Sequence, residues 1–184
     1  MKDFRHGSVI GGAAVVFAAA LSLSCATQPP PVAAKPMPVA VAPLAAQEAG
    51  LRTSLAQTAA VIVRTAGALG LRYPARMAFV PDRAELAPAG KSMLDLLAGS
   101  LREYERTEIV VAVYTDAIGS SAFNQQQAQA RAAAVVAYLR SKGVAPARLI
   151  ARGAGESAPL EAPNTPEGRD LNRRLELTIT ALSS

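Results

Sequence analysis

Apolar and polar residues follow one another along this chain in four different rhythms. Val9 to Leu23 is an uncharged, mostly apolar run of fifteen residues. Residues 26–46 have no helical or strand period, because Pro29, Pro30, Pro31, Pro36, Pro38 and Pro43 break a helix and favour an extended polyproline II course. Leu44, Leu51, Leu55 and Ile62 are then spaced by seven, four and seven residues, which puts them on one helical face, with Gly67 and Gly70 to end the helix. Ala60-Val61-Ile62-Val63 would equally suit a strand, but we expect a helical segment over 47–68. From about Leu69 the fourth rhythm begins, in which strand and helix patterns alternate.

Leu69 to Tyr73 alternates apolar with polar and predicts a first strand. Pro88 opens a helix in whose first turn its missing N–H costs nothing, and Met93, Leu96, Leu97 and Leu101 form its apolar stripe. Glu108 to Tyr114 is a nearly continuous apolar run, as for a strand covered on both faces. A second helix runs from about Asn124 to Ser141, stopped by Gly143, with Ala128, Ala132, Val135 and Leu139 on its buried side. Leu149-Ile150-Ala151 is a short strand, Gly153 and Gly155 mark a turn, and Leu175 to Ala181 is a last strand. The order β-α-β-α-β-β predicts an α+β domain over 69–184, a mixed sheet with helices packed on one face. Its ~110 residues suffice for an independent core.

The first rhythm reads as an export signal. Lys2 and Arg5 precede the apolar run, which is shorter than the ~20 residues of a membrane-spanning helix. It ends in Leu21-Ser22-Leu23-Ser24-Cys25. This resembles the lipobox of bacterial lipoproteins, although Ser22 stands where Leu is commonest. The resemblance implies cleavage after residue 24 and a diacylglycerol on the thiol of Cys25, with 25–46 as lipidated residue and spacer. Twenty-one residues of polyproline II would reach about 65 Å. Ala26 is not the Asp that retains many lipoproteins in the inner membrane. The implied location is the outer membrane, facing the periplasm.

Composition removes whole classes of chemistry. The chain has one Cys and one His, and His6 lies within the signal. A disulfide within the chain, a Cys/His zinc site and a His-based triad therefore lack their residues. We expect no enzyme, no metal and no cofactor. The net charge of +5 becomes +4 after loss of Lys2, Arg5 and Asp3. No dense Lys/Arg run accompanies it, so nucleic acid is not an expected partner.

The residues at the element ends carry a second resemblance. Thr115-Asp116-Ala117-Ile118-Gly119, Asn124, Arg131-Ala132, Val135, Tyr138-Leu139 and Gly143 are followed by Arg148-Leu149 and by Gly153-Ala154-Gly155-Glu156-Ser157-Ala158-Pro159. Asn164-Thr165, Glu167-Gly168-Arg169 and Asn172-Arg173-Arg174-Leu175-Glu176 complete the series, and Phe79, Asp82, Ala84 and Leu86 precede it. In order and spacing, residues 69–182 resemble the OmpA-like C-terminal domain family. The departures are Gln127-Ala128 where Leu-Ser is usual, Val113 for a common Gly, and Val80 for a frequent Asp or Asn.

Asp116 follows a strand, and Arg131 lies fifteen residues on, in the next helix. A carboxylate and a guanidinium brought into one pocket suit a zwitterion, one taking its ammonium and the other its carboxylate. By themselves, Asp116 reads as a turn cap with Gly119, and Arg131 as a surface side chain whose stem lies on the helix. The family resemblance favours binding. It implies that Asp116, Asn124, Arg131 and Arg173 hold meso-diaminopimelate of the peptidoglycan stem peptide, tethering the outer membrane to the wall without catalysis. An alternative within the family is an assembly component of a secretion or motor complex. Arg174 is expected to be structural, paired with Glu156 or Glu167.

Overall fold

The computed structural model describes residues 44–65 and 67–182. The export signal, Cys25 and all but the last residues of the expected linker lie outside them. Helix α1 (Leu44–Ser54) is followed by β1 (Val61–Arg64) and β2 (Ala68–Pro74). After the single turn α2 (Ala75–Ala78) come α3 (Pro88–Glu103), β3 (Thr107–Tyr114) and α4 (Ser121–Ser141). A 3-10 turn (Pro146–Arg148), β4 (Leu149–Gly155), α5 (Pro166–Asn172) and β5 (Arg174–Ala181) complete the order.

The sheet runs β1-β2-β5-β3-β4. Only β3 and β4 are parallel; the other three pairings are antiparallel. A parallel pair needs a crossover, and α4 supplies it. The register stacks the core in rows: Leu69–Ile179–Ile109, Leu71–Leu177–Val111 and Tyr73–Leu175–Val113. Each of these nine is at most 2% exposed, so every row contributes apolar area shielded from water, at ~25 cal/mol per Å². Met93, Leu97 and Leu101 of α3 and Ala132, Val135 and Leu139 of α4 close the same cluster.

Four expectations change here. In α3 it is Leu94 that is buried, while Leu96 is 43% exposed. Strand β3 is fully covered on one face only: Glu108, Val110 and Tyr114 are half-buried, because the helical cluster packs on the side of Ile109, Val111 and Val113. Gly153 and Gly155 lie inside β4 and not in a turn. A Cβ on Gly153 would fall 2.5 Å from the backbone nitrogen of Gln129, so this glycine lets β4 press against α4. Finally, the segment 47–68 is not a single helix. Its helix ends at Ser54, and Val61–Arg64 pairs with β2 as an edge strand. Leu51 and Leu55 are 1% and 2% exposed and belong to the core. The boundary expected at residue 69 therefore cuts through one compact unit, to which the described residues from Leu44 onward belong.

Candidate functional site

At one end of the sheet the chain makes a cavity of about 400 Å³. Its wall on one side is the segment after α2, closed as a loop by the Phe79–Leu86 bridge and by Val80 N–H donating to Glu85 O at 2.9 Å. The opposite wall is the β3–α4 turn with the first turns of α4, and the β5 side adds Arg173. Asp116, Asn124, Arg131 and Arg173, the four site residues expected from the sequence, all line this one cavity. Two chain segments far apart in sequence bring them there, and the loop after α2 closes the wall opposite.

Asp116 is held at the turn by its own chemistry. Its Oδ1 accepts the Ile118 N–H at 3.2 Å, so the capping reading is realised, with Gly119 at φ +97° beyond it. Its Oδ2 accepts from Arg173, which also holds Asp170. Burial opposes the charge of Arg173, but its hydrogen bonds to Asp116 and Asp170 and the charges of both carboxylates together outweigh that and raise its pKa. Each carboxylate oxygen of Asp116 retains a second lone pair for a ligand N–H.

Asn124 is 3% exposed. Its amide nitrogen donates to Asp116 O at 3.3 Å and to Glu156 Oε2 at 3.2 Å. The donors expected to serve a ligand thus brace the Asp116 turn. The helix beneath it is capped by Ser120, whose Oγ accepts the Phe123 N–H at 3.2 Å.

Arg131 is not a surface side chain: 8% of it is exposed. Its Nε donates to Arg83 O at 2.9 Å, and its guanidinium lies over the Phe79 ring, 5.1 Å from the centroid. Burial lowers its pKa, opposed by the charge of Asp82. Its two terminal nitrogens make no hydrogen bond among the described residues. A buried fork with free donors can take a carboxylate in bidentate fashion.

The neighbouring Arg174 is structural, as expected, but with other partners. Its Nε donates to Glu176 at 2.8 Å, its remaining donors reach Asn172 O and Ala158 O, and it stacks on Tyr114 at 3.6 Å. Neither Glu156 nor Glu167 is involved.

Sequence reasoning gave no site role to Phe79, Asp82, Arg76 or Thr115, which also line the cavity. Asp82 has a positive φ of 55°, unusual for a residue other than glycine. Thr115 is 6% exposed, and its Oγ1 has no hydrogen-bond partner among the described residues. The signal for Thr115 was its place beside Asp116; for Arg76 no local pattern exists. Of the departures, Ala128 is core and Val113 is core, whereas Gln127 and Val80 stand on the cavity wall.

Residues 78–173, just over half of the chain, match the model of the OmpA family. Outer membrane protein A of Bordetella avium is 40% identical over 98 residues, 53% of this chain and 50% of that protein. Probable lipoprotein YiaD of Escherichia coli is 35% identical over 132 residues, 72% of this chain and 60% of that protein. The chain thus spans only half to three-fifths of the length of these relatives. Among solved structures, a MotB-like protein from Desulfovibrio vulgaris superposes with a TM-score of 0.68 at 29% identity, over 75% of this chain and 96% of that one.

Proposed function

Because this chain belongs to the OmpA family, we propose that its cavity binds peptidoglycan non-covalently, through diaminopimelate of the stem peptide, and performs no catalysis. The observation that carries this reading is the convergence of Asp116, Arg131 and Arg173 on one cavity. The ligand ammonium goes to Asp116 and its carboxylate to the free donors of Arg131, with Arg173 swinging between Asp116 and that carboxylate. Phe79 fixes the plane of the Arg131 guanidinium, and the Arg83 carbonyl fixes its position. Little ordering is then left to occur on binding. Asn124 acts as a brace for the Asp116 turn and contributes at most its amide oxygen.

With Cys25 lipidated, the bound domain ties the outer membrane to the wall across the proline-rich spacer. The similarity to an outer membrane protein and to a lipoprotein supports that location. The likeness to a MotB-like protein favours a second reading, an assembly component of an envelope machine. The tether reading requires that Cys25→Ser leave unprocessed precursor that no longer partitions as mature protein into the outer membrane.

The direct test is sedimentation of the full chain, in detergent, with purified peptidoglycan. Asp116→Ala and Arg131→Ala should each lower affinity roughly 30- to 150-fold, the equivalent of about 2–3 kcal/mol for one charge-assisted contact. The double variant should be less than additive, since both hold the same zwitterionic end of the ligand. Wild-type affinity in either folded variant would return that residue to the role of cap or packing element.

A further inference from the structure

Five ionised side chains line the cavity: Arg76, Arg131, Arg173, Asp82 and Asp116. Two of the three cations are answered. Arg173 is paired with Asp116, and with Asp170 outside the cavity. Arg131 has the Arg83 carbonyl and the charge of Asp82. Arg76 makes neither a hydrogen bond nor an ion pair among the described residues. Its side chain is exposed, but its backbone is placed beside the site, because the N–H of Ala75, just before it, donates to Arg173 O at 3.0 Å.

The wall therefore carries +3 − 2 = +1. A zwitterion with one ammonium and one carboxylate leaves that surplus unanswered. A ligand with a second carboxylate cancels it, and the only cation with its whole fork unused is Arg76. We propose that Arg76 is a second carboxylate-binding residue, so that the site selects stem peptides bearing a free carboxylate beyond the zwitterionic end of diaminopimelate. This inference rests on the peptidoglycan reading and adds the charge state of the ligand to it. Two carboxyl groups of a stem could supply the anion: the second carboxyl of diaminopimelate itself, or the α-carboxyl of the adjoining γ-linked glutamate.

Titration calorimetry of the full chain in detergent separates these cases with three synthetic tripeptides, L-alanyl-γ-D-glutamyl-meso-diaminopimelate and its two monoamides. One monoamide blocks the glutamate α-carboxyl, the other the diaminopimelate carboxyl remote from the free amine. One of them should bind the wild type about 5- to 10-fold more weakly than the free acid, and its identity names the source. Arg76→Gln should lose the same factor on the free acid and nothing further on that monoamide. Equal loss on all three peptides, or none on any, overturns the role of Arg76. Arg131→Ala is the control: if it binds all three like the wild type, or if the wild type binds none, the underlying reading falls as well.

Discussion

Arg131 and Arg148 each keep 8% of their surface exposed. Burial lowers the pKa of both guanidinium groups, opposed by Asp82 in one case and by Glu105 in the other. Their surroundings differ most in how much of each fork is used. Arg148 donates to the carbonyls of Leu101, Tyr104 and Thr107 and to the Thr107 hydroxyl, at 2.6 to 2.9 Å. It stitches the end of α3 to the start of β3. Arg131 makes one hydrogen bond, through Nε, and turns the rest of its fork toward a cavity. A buried charge costs free energy unless its donors are used. Where the fold uses four of the five, the residue is architecture; where it uses one, donors remain open to a ligand.

Removing each arginine tests that contrast from opposite sides. Arg148→Ala should give the largest effect, a loss of roughly 3–5 kcal/mol of stability, because it takes the charged donors from the Leu101 and Thr107 carbonyls and leaves Tyr104 O and the Thr107 hydroxyl only each other. The urea midpoint measures it, and Arg148→Lys should recover only part, since an ammonium cannot fork to four acceptors. Arg131→Ala should change the midpoint by no more than about 1 kcal/mol while costing the 2–3 kcal/mol of binding stated above. A large stability loss with Arg131→Ala, or a binding loss in folded Arg148→Ala, would erase the distinction.

A third arginine sharpens it through pH. Arg174 spends its Nε on Glu176, which also accepts from Arg72 at 3.1 Å. Burial pushes the Glu176 pKa up, but the hydrogen bond from Arg174 and its charge, with those of Arg72, outweigh it and lower the pKa. A depressed carboxylate contributes stability that is complete above its unfolded value of about 4.3 and is lost as pH falls through the lower folded value. Glu176→Gln should therefore flatten the acid limb of the stability curve between pH 6 and pH 3. The smallest expected effect is in the cavity wall. Thr115→Val removes a buried hydroxyl that has no partner among the described residues. It should raise stability by about 0.5–1 kcal/mol, read as a higher urea midpoint.

Much of the architecture was legible in the sequence. The alternation of Leu69 to Tyr73 and of Leu175 to Ala181 marked two strands, and the Ala128, Ala132, Val135, Leu139 spacing marked the face of α4. These patterns are local, because an element's own period decides which face it buries. Helix α5 went unseen, since seven residues are too few for a period to emerge. Ile62 was assigned to the helical stripe of Leu51 and Leu55, and the spacing was real, but pairing with Leu71 in β2 claimed it for a strand. Propensity yields to such tertiary pairing.

For the site, sequence alone determined which residue types stand at the strand and helix ends, and that no His or Cys chemistry exists in the domain. It could not rank Asp116 between cap and ligand partner; the fold lets its two oxygens do separate work. It could not distinguish Arg131 from Arg148, because whether a buried donor is used depends on carbonyls forty-one to forty-eight residues away. Nor could it see Arg76, whose place on the wall follows from a backbone bond between Ala75 and residue 173. Periodicity is a property of neighbours in the chain and is written there. The saturation of a hydrogen-bonding group is a property of neighbours in space, and only the packed structure supplies them.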